Sequence, residues 1–344
     1  MLIRAVRNEE RAKYDSVVQH PLQSWAWGEF RKQTGVAVER LGFYENGQLT
    51  QGLQTTFHPI PLLGKTAGYV PKGFAPNEDQ LAALKTLGEQ HHALFIKLEP
   101  DVSAPIETAK TQHQTLQKFL VDSGSRPGRP LFTPYTFKLD LTQSENQLFA
   151  NLANKTRYNV RLAKKKGVEI FENTSPAGFD AYLKILRETT TRQGFYAHSP
   201  EYFQTMWQTL KDSGMMHIFN AVYQQMVLVS WIVFTFNGKL YYPYGASVRE
   251  YREVMASNLM MWEVIRFGQK TGCTTFDMWG SLGPDPDQKN PWYGFHRFKE
   301  GYGGQLTEFV GTYDLVLQSG LYPLFRLGDD WRWKILRLRK KLGF

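Results

Sequence analysis

Lys299 stands in Arg297-Phe298-Lys299-Glu300-Gly301-Tyr302-Gly303-Gly304, where glycines let a backbone approach a ligand closely beside a fixed positive charge. Such a cation suits a phosphate or a developing oxyanion; on composition alone it also reads as a solvent-exposed loop lysine. Lys72, just ahead of Gly73, invites the same two readings. Tyr242 and Tyr244 are two apart in an extended stretch, which predicts that both face one side of a strand, as hydrogen-bonding or stacking groups or as core. Arg157, Arg161 and Lys164 follow an i, i+4, i+7 spacing on one helix face, with Lys155 just before them and no acidic neighbour to pair with. That stripe could track nucleic-acid phosphates; the alternative is a solvated face. Asp277, at a predicted strand end before Trp279, is a candidate proton acceptor or a structural carboxylate.

The elements that must position these groups recur. Residues 38–44 read as a strand, Glu45-Asn46-Gly47-Gln48 as a hairpin turn and 49–58 as the returning strand; a helix near 78–90 and a buried strand at 93–97 follow. The same order returns with 218–223, Gln224-Gln225, 226–236, Asn237-Gly238 and 240–245, then a helix over 258–271 ended by Gly272 and a strand at 274–278. Tyr44 and Tyr223 are 179 apart, and Lys97 and Asp277 are 180 apart, so a duplicated unit is predicted. Each copy has the order of an acetyltransferase-like (GNAT) fold, which gives the fold class as α/β (α+β): two tandem GNAT-like domains of mixed, mostly antiparallel sheet with flanking helices. The join is expected near 141–148, where Ser144 and Gln147 form a capping box. The predicted division is 1–143, 144–315 and a basic amphipathic tail over 316–344.

A chain of 344 residues suits two domains, and 42% apolar residues with 14% aromatics describe a folded protein. Residues 155–166 carry six basic residues and no acid, and the stretch from Arg326 onward adds a further +5. The whole chain is only +9, so the positive charge is local and points to defined anionic partners. The start has no apolar signal region, and the longest nearly apolar run, 226–236, is far short of the ~20 residues of a membrane span. A cytoplasmic protein is expected. A single cysteine, Cys273, rules out an intrachain disulfide and any cysteine-based metal cluster.

Four segments together resemble the signature stretches of the FemABX peptidyltransferases. They are Lys155-Thr156-Arg157-Tyr158-Asn159-Val160-Arg161-Leu162-Ala163 with Lys166-Gly167-Val168; Tyr242-Pro243-Tyr244-Gly245-Ala246-Ser247; Trp262-Glu263 running to Phe276-Asp277-Met278-Trp279-Gly280; and Gly294-Phe295-His296-Arg297 through Gly304. Gln23-Ser24-Trp25-Ala26-Trp27-Gly28-Glu29-Phe30 and Gly68 to Gly73 echo it in the first half. The resemblance implies an aminoacyl transferase that moves an amino acid from aminoacyl-tRNA to a stem-peptide amine of a peptidoglycan precursor, UDP-MurNAc-pentapeptide or lipid II. It needs no cofactor beyond that co-substrate. The resemblance places Lys299 at the family's critical lysine and Asp101 at an aspartate near the acceptor amine. It gives diphosphate binding to Arg31 or Lys32 and to Arg192, with Tyr196, Tyr242 and Tyr244 as sugar or base contacts. The first domain is then the precursor side and the second the aminoacyl-tRNA side. The long charged heptad insertion of the staphylococcal members is absent, which resembles the compact members.

Other chemistries fit less well. His91-His92 point apart on a helix with no carboxylate at ligand spacing, and no Walker A loop or dinucleotide fingerprint occurs. An acyl-CoA-dependent N-acyltransferase would need a glycine-rich pyrophosphate loop, which neither half shows, and a noncatalytic RNA- or membrane-binding protein would rest on the basic segments alone. The tail is expected to pack on the first domain or to rest on an anionic membrane. A monomer is predicted, with no apolar heptads to drive association.

Overall fold

The computed structural model describes residues 1–61, 63–193, 198–329 and 331, with the backbone alone at 192 and 193. The strands are β1 (Leu2–Ala5), β2 (Ala37–Glu45), β3 (Gln48–Ile60), β4 (Lys65–Pro71), β5 (Ala93–Glu99), β6 (Ser103–Pro105), β7 (Ser125–Pro127) and β8 (Tyr135–Asp140). After them come β9 (Glu169–Glu172), β10 (Met216–Tyr223), β11 (Met226–Phe236), β12 (Lys239–Ser247), β13 (Thr275–Asp277), β14 (Gln305–Phe309) and β15 (Tyr313–Val316). They form a seven-stranded sheet, β1-β2-β3-β4-β5-β15-β7, and an eight-stranded sheet, β6-β14-β8-β13-β12-β11-β10-β9.

The duplication is visible in the pairing. β2, β3 and β4 make an antiparallel meander, the helix Glu78–Gln90 crosses over, and β5 returns parallel to β4. β10, β11 and β12 repeat the meander, the helix Ala256–Lys270 crosses over, and β13 returns parallel to β12. The hairpins close on two-residue turns with both φ positive: 50° and 77° at Asn46-Gly47, 47° and 63° at Gln224-Gln225, 44° and 72° at Asn237-Gly238. That conformation matches the right-handed strand twist, which is why Asn-Gly marks two of the three turns. Ser144 accepts from the Gln147 amide and Gln147 reaches back, so the expected capping box opens Glu145–Asn151.

Sheet membership does not follow the chain. β15 inserts between β5 and β7 of the first sheet, and β6 pairs with β14 at the edge of the second. β8, N-terminal to the expected join, lies between β13 and β14 in the second sheet. The two units therefore hold each other through exchanged strands. A second tie is the helix Trp25–Gln33, capped by Ser24, which buries Trp27 and Phe30 in the same core as Ile232, Phe234 and Tyr241 of the second sheet. Gly28 is required there, because a Cβ would lie 2.0 Å from Gln54 Oε1 and 2.1 Å from Arg40 Nη2. Among the described residues no helix is long and apolar enough to cross a membrane. Residues 322–329 are helical, and Tyr322 and Phe325 pack on Leu94 and Phe95 of the first sheet; the rest of the tail, 332–344, lies outside the described residues.

Candidate active site

Lys299 lies on the inner face of the short helix Tyr293–Glu300, where it and His296 are buried. Its Nζ donates to the carbonyl of Gly280 at 2.8 Å and to that of Trp279 at 3.3 Å. An ammonium has three donors, so one remains for a ligand. The two carbonyls converge because the chain turns left-handed after β13, with φ of 56° at Trp279 and 101° at Gly280. Asp277 pins that turn: its Oδ1 accepts from the Trp279 amide at 2.8 Å and from the Thr136 hydroxyl at 2.6 Å, and Thr136 Oγ1 accepts from the Gly280 amide at 3.2 Å. Burial pushes the Lys299 ammonium down to about 8, with the Asp277 charge opposing the shift. The cation is thus present at neutral pH and weakly solvated, the state in which it acts most strongly on a bound anion.

The space in front of Lys299 is a cavity of about 550 Å³ walled by Tyr182, Phe203, Tyr242, Tyr244, Trp279 and Phe295. It exists because β12 and β13 pair over three residues and then part, leaving β12 from Tyr242 on paired with β11 only. Gly245 contributes by lacking a side chain: a Cβ there would lie 2.0 Å from the Tyr242 hydroxyl. A second cavity, of about 640 Å³, adjoins the first, sharing Tyr242, Gly245 and Phe295 and adding Trp231, Arg252 and Asn258.

Tyr242 and Tyr244 both reach the first cavity, but not from one side of the strand as their spacing predicts. Between Phe234↔Tyr241 and Ile232↔Tyr244, β12 carries one residue more than β11, a bulge that inverts the alternation. Tyr242 therefore stacks on Trp231, ring centroids 4.0 Å apart, on one face of the sheet, and Tyr244 meets Phe203 edge-on on the other.

Lys72 and Asp101 form a second group, at the turn that ends β4 and β5. The Asp101 amide donates to the Gly73 carbonyl at 2.7 Å, which brings the two residues to one turn. Lys72 is buried with its Nζ 3.1 Å from the Phe309 ring centroid; burial lowers its pKa, while Asp101, Asp277 and Glu99 oppose the shift. Arg31 lies 5.7 Å from the Tyr202 ring; burial first, then the Arg31 charge, holds His58 and His198 below their ordinary values. Lys32 instead pairs with Glu29 at 3.2 Å on the exposed side of the same helix. Arg192 is in the last turn of the helix Pro176–Gln193, its side chain outside the described part, and Tyr196 lies outside the described residues altogether.

The basic stripe divides. Lys155, Arg161 and Lys164 are exposed on the helix Asn154–Lys165. Arg157 turns back, donating to the carbonyl of Leu152 at 2.7 Å and to those of Ala150 and the Asn154 side chain, and so satisfies the carbonyls left open where Glu145–Asn151 ends.

Three site residues escaped the sequence. Tyr182 is fully buried in the cavity wall, and its hydroxyl has no hydrogen-bond partner among the described residues. Thr136 carries no local signal. His20 lies between the units, accepting from the Leu22 amide at 3.2 Å and packed on Tyr241 and Trp279; burial first, then Lys72, keeps it neutral. A histidine before Pro21 and the Gln23–Phe30 stretch was its only trace.

A sequence profile of the FemAB family matches residues 8–225 and 216–329, and the chain belongs to that family. The lipid II:glycine glycyltransferase of Staphylococcus epidermidis is 25% identical over 398 aligned positions, which cover 92% of this chain and 94% of that protein. Its counterpart from Staphylococcus aureus is 24% identical over 404, covering 93% and 94%. Among solved structures, a crystal structure of FemX matches with a TM-score of 0.83 at 21% identity, over 94% of this chain and 99% of that one. A tandem GNAT protein from the clavulanic acid biosynthesis pathway matches with a TM-score of 0.52 at 11% identity, over 82% and 83%. These structural likenesses show the fold, two tandem GNAT-like units, as the repeated order of elements predicts.

Proposed function

We propose that this chain is an aminoacyltransferase of peptidoglycan bridge formation, moving an amino acid from aminoacyl-tRNA to the stem-peptide amine of lipid II or of the nucleotide-linked precursor. The observation that carries the reading is the Lys299 ammonium, held by two carbonyls at the floor of a cavity in a FemAB-family chain whose relatives are glycyltransferases.

The reaction is aminolysis of an ester. The amine nitrogen bonds to the acyl carbon, an oxyanion forms, and the ribose oxygen leaves and takes a proton. Lys299 uses its remaining N–H for the oxyanion or the adjacent phosphate, at an expected worth of about 10²–10³ in rate. Asp277 orients Lys299 through the Trp279–Gly280 turn. Its Oδ1 accepts two hydrogen bonds and is committed to that turn, which leaves the amine proton to Asp101, to the second oxygen of Asp277 or to the substrate itself. Lys72 and Arg31 serve the precursor phosphates, a role the family resemblance extends to Arg192; Lys155, Arg161 and Lys164 serve the tRNA, with Arg157 kept to its structural task.

The test is transfer of labelled amino acids from a mixed charged-tRNA pool to UDP-MurNAc-pentapeptide and to lipid II, with wild type and Lys299→Ala side by side. Label on either precursor with wild type, lost in the variant, is expected and names the acceptor. Transfer from acyl-CoA instead, or no transfer by folded protein, would contradict the reading.

A further inference from the structure

The helix Asn154–Lys165 keeps its small buried stripe for the protein and turns an aromatic ring to solvent. Thr156, Val160 and Ala163 are the buried residues. At about 3.6 residues per turn Tyr158 falls opposite them, with Lys155 on one side of it and Arg161 and Lys165 on the other. Tyr158 is 63% exposed. Among the described residues the side chains of Lys155, Tyr158, Lys164 and Lys165 have no hydrogen-bond, ion-pair or ring partner, and Arg161 has the Phe149 ring alone, 5.1 Å away.

The same helix is tied to the reaction site. Ala153, which caps its start, donates to the Gly301 carbonyl at 2.9 Å, where the Lys299 helix ends. Thr156 packs there so closely that a Cβ on Gly301 would lie 2.4 Å from its hydroxyl. Asn159, next to Tyr158, donates to Asn258 Oδ1 at 3.4 Å, and Asn258 lines the second cavity with Arg252. At the far end Lys166 donates to the Glu253 carbonyl at 3.3 Å. The helix therefore borders the second cavity, which shares Tyr242, Gly245 and Phe295 with the cavity of Lys299.

Cations around a free ring, with no acid on the helix, select the partner. The cations suit phosphates, and the phenol ring among them offers its face to a base. A base inside a duplex is already stacked on its neighbours, so a free ring suits single-stranded RNA. An anionic bilayer would use the charge but not this face: a helix lying among headgroups turns an apolar stripe outward, and here Val160 and Ala163 are buried in the protein. We propose that Tyr158 is a stacking platform for an unpaired base of the donor RNA, holding the strand between its paired stem and the acyl end that enters the two cavities. The proposal rests on the reading of the donor as aminoacyl-tRNA, whose 3′ end is single-stranded, and assigns that strand its place on the protein.

The experiment is fluorescence anisotropy of the full chain with a labelled single-stranded RNA of about six nucleotides and with a blunt RNA duplex of the same length, over a salt series. Wild type is compared with Tyr158→Ala, Tyr158→Phe, Tyr158→Trp and Lys155→Ala, all at exposed positions, with the fold checked by circular dichroism. Tyr158→Ala should lose about tenfold in affinity for the single strand, and the Phe and Trp variants should keep it. The slope of log affinity against log salt should stay at its wild-type value in Tyr158→Ala and flatten by about 0.7 in Lys155→Ala, which gives up one phosphate contact. Equal affinity of Tyr158→Ala and wild type, or no binding of the single strand by wild type, would overturn the proposal. So would a Phe variant as weak as the Ala variant, an equal loss on the blunt duplex, or a loss seen only with phosphatidylglycerol vesicles; these would reassign the residue to a hydroxyl contact, to the stem or to a membrane. Binding needs no turnover, so the two readings fail separately: RNA bound through Tyr158 without transfer would sink acyl transfer alone, and transfer with no loss of binding in Tyr158→Ala would sink the stacking platform alone.

Discussion

In the first unit β4 and β5 stay paired from Thr66↔Ala93 to Pro71↔Glu99, and both strands end together. In the second, β12 and β13 pair three times, part after Tyr241↔Asp277, and β12 runs on to Ser247. Two copies of one architecture thus differ in how far a parallel pair is zipped. The zipped copy leaves a recess of only about 20 Å³ at its Lys72 turn, with the cation over an aromatic ring. The parted copy opens about 550 Å³ and aims a lysine into it. A protein interior packs too tightly to spare such space without a cause. Here the causes are Pro243, which has no N–H to donate, the bulge beside it, and the left-handed turn at Trp279 and Gly280.

If the lysine of the parted copy stabilises the transition state and the lysine of the zipped copy grips substrate, the two must fail differently. Lys299→Ala should cost about 10²–10³ in kcat, and no concentration of acceptor should restore it. Lys72→Ala should act mainly on KM for the precursor, by about tenfold, the size of one lost hydrogen bond to a charged group. Matching losses in kcat would erase the distinction.

The next contrast lies in the turn itself. Asp277→Ala leaves the Trp279 amide and the Thr136 hydroxyl without their acceptor, and should destabilise the fold by about 1–3 kcal/mol in chemical denaturation. It also removes the negative charge that supports the Lys299 cation. A Lys299 with its pKa near 8 loses its proton as pH rises through that value, so activity that needs the cation falls there. Without Asp277 the pKa drops further, and the falling limb of the pH–rate profile should move to lower pH. Comparing variant with wild type cancels the titration of the substrate amine; an unmoved limb would detach Asp277 from Lys299.

The smallest effect is expected at Tyr182. Its hydroxyl is buried without a partner among the described residues, so Tyr182→Phe should leave stability unchanged or slightly raised. A ligand that completes that hydrogen bond would show the loss as about a fivefold to tenfold rise in KM for one substrate. A rise for neither would make the phenol a packing residue.

Much of the frame was legible because its signals are local. Asn46-Gly47 and Asn237-Gly238 announce hairpins by their φ preference, Ser144 and Gln147 announce a helix start, and the 179-residue offset of Tyr44 and Tyr223 announces the repeat. What stayed hidden depends on long-range pairing. Nothing in 313–316 says that it will join β5 rather than its neighbours, and nothing in 135–140 says that it belongs to the second sheet. At the site, Lys299, Asp277 and the two tyrosines were visible as residue types, but Tyr242 and Tyr244 reach the cavity from opposite faces because one bulge reverses the alternation that sequence counting assumes. Arg157 looked like its neighbours until the open carbonyls of the preceding helix claimed it.

The most direct measurement is a crystal structure with a non-hydrolysable donor analogue, an amino acid joined by an amide to the 3′ end of an acceptor-stem microhelix. The account predicts the acyl carbonyl in the parted-strand cavity, within hydrogen-bond reach of Lys299 Nζ, with the nucleotide end leading toward the Arg252 cavity and the helix bearing Arg161 and Lys164. An acyl group seated instead at the Lys72 turn, or bound with Lys299 still turned wholly to its two carbonyls and out of reach, would contradict it.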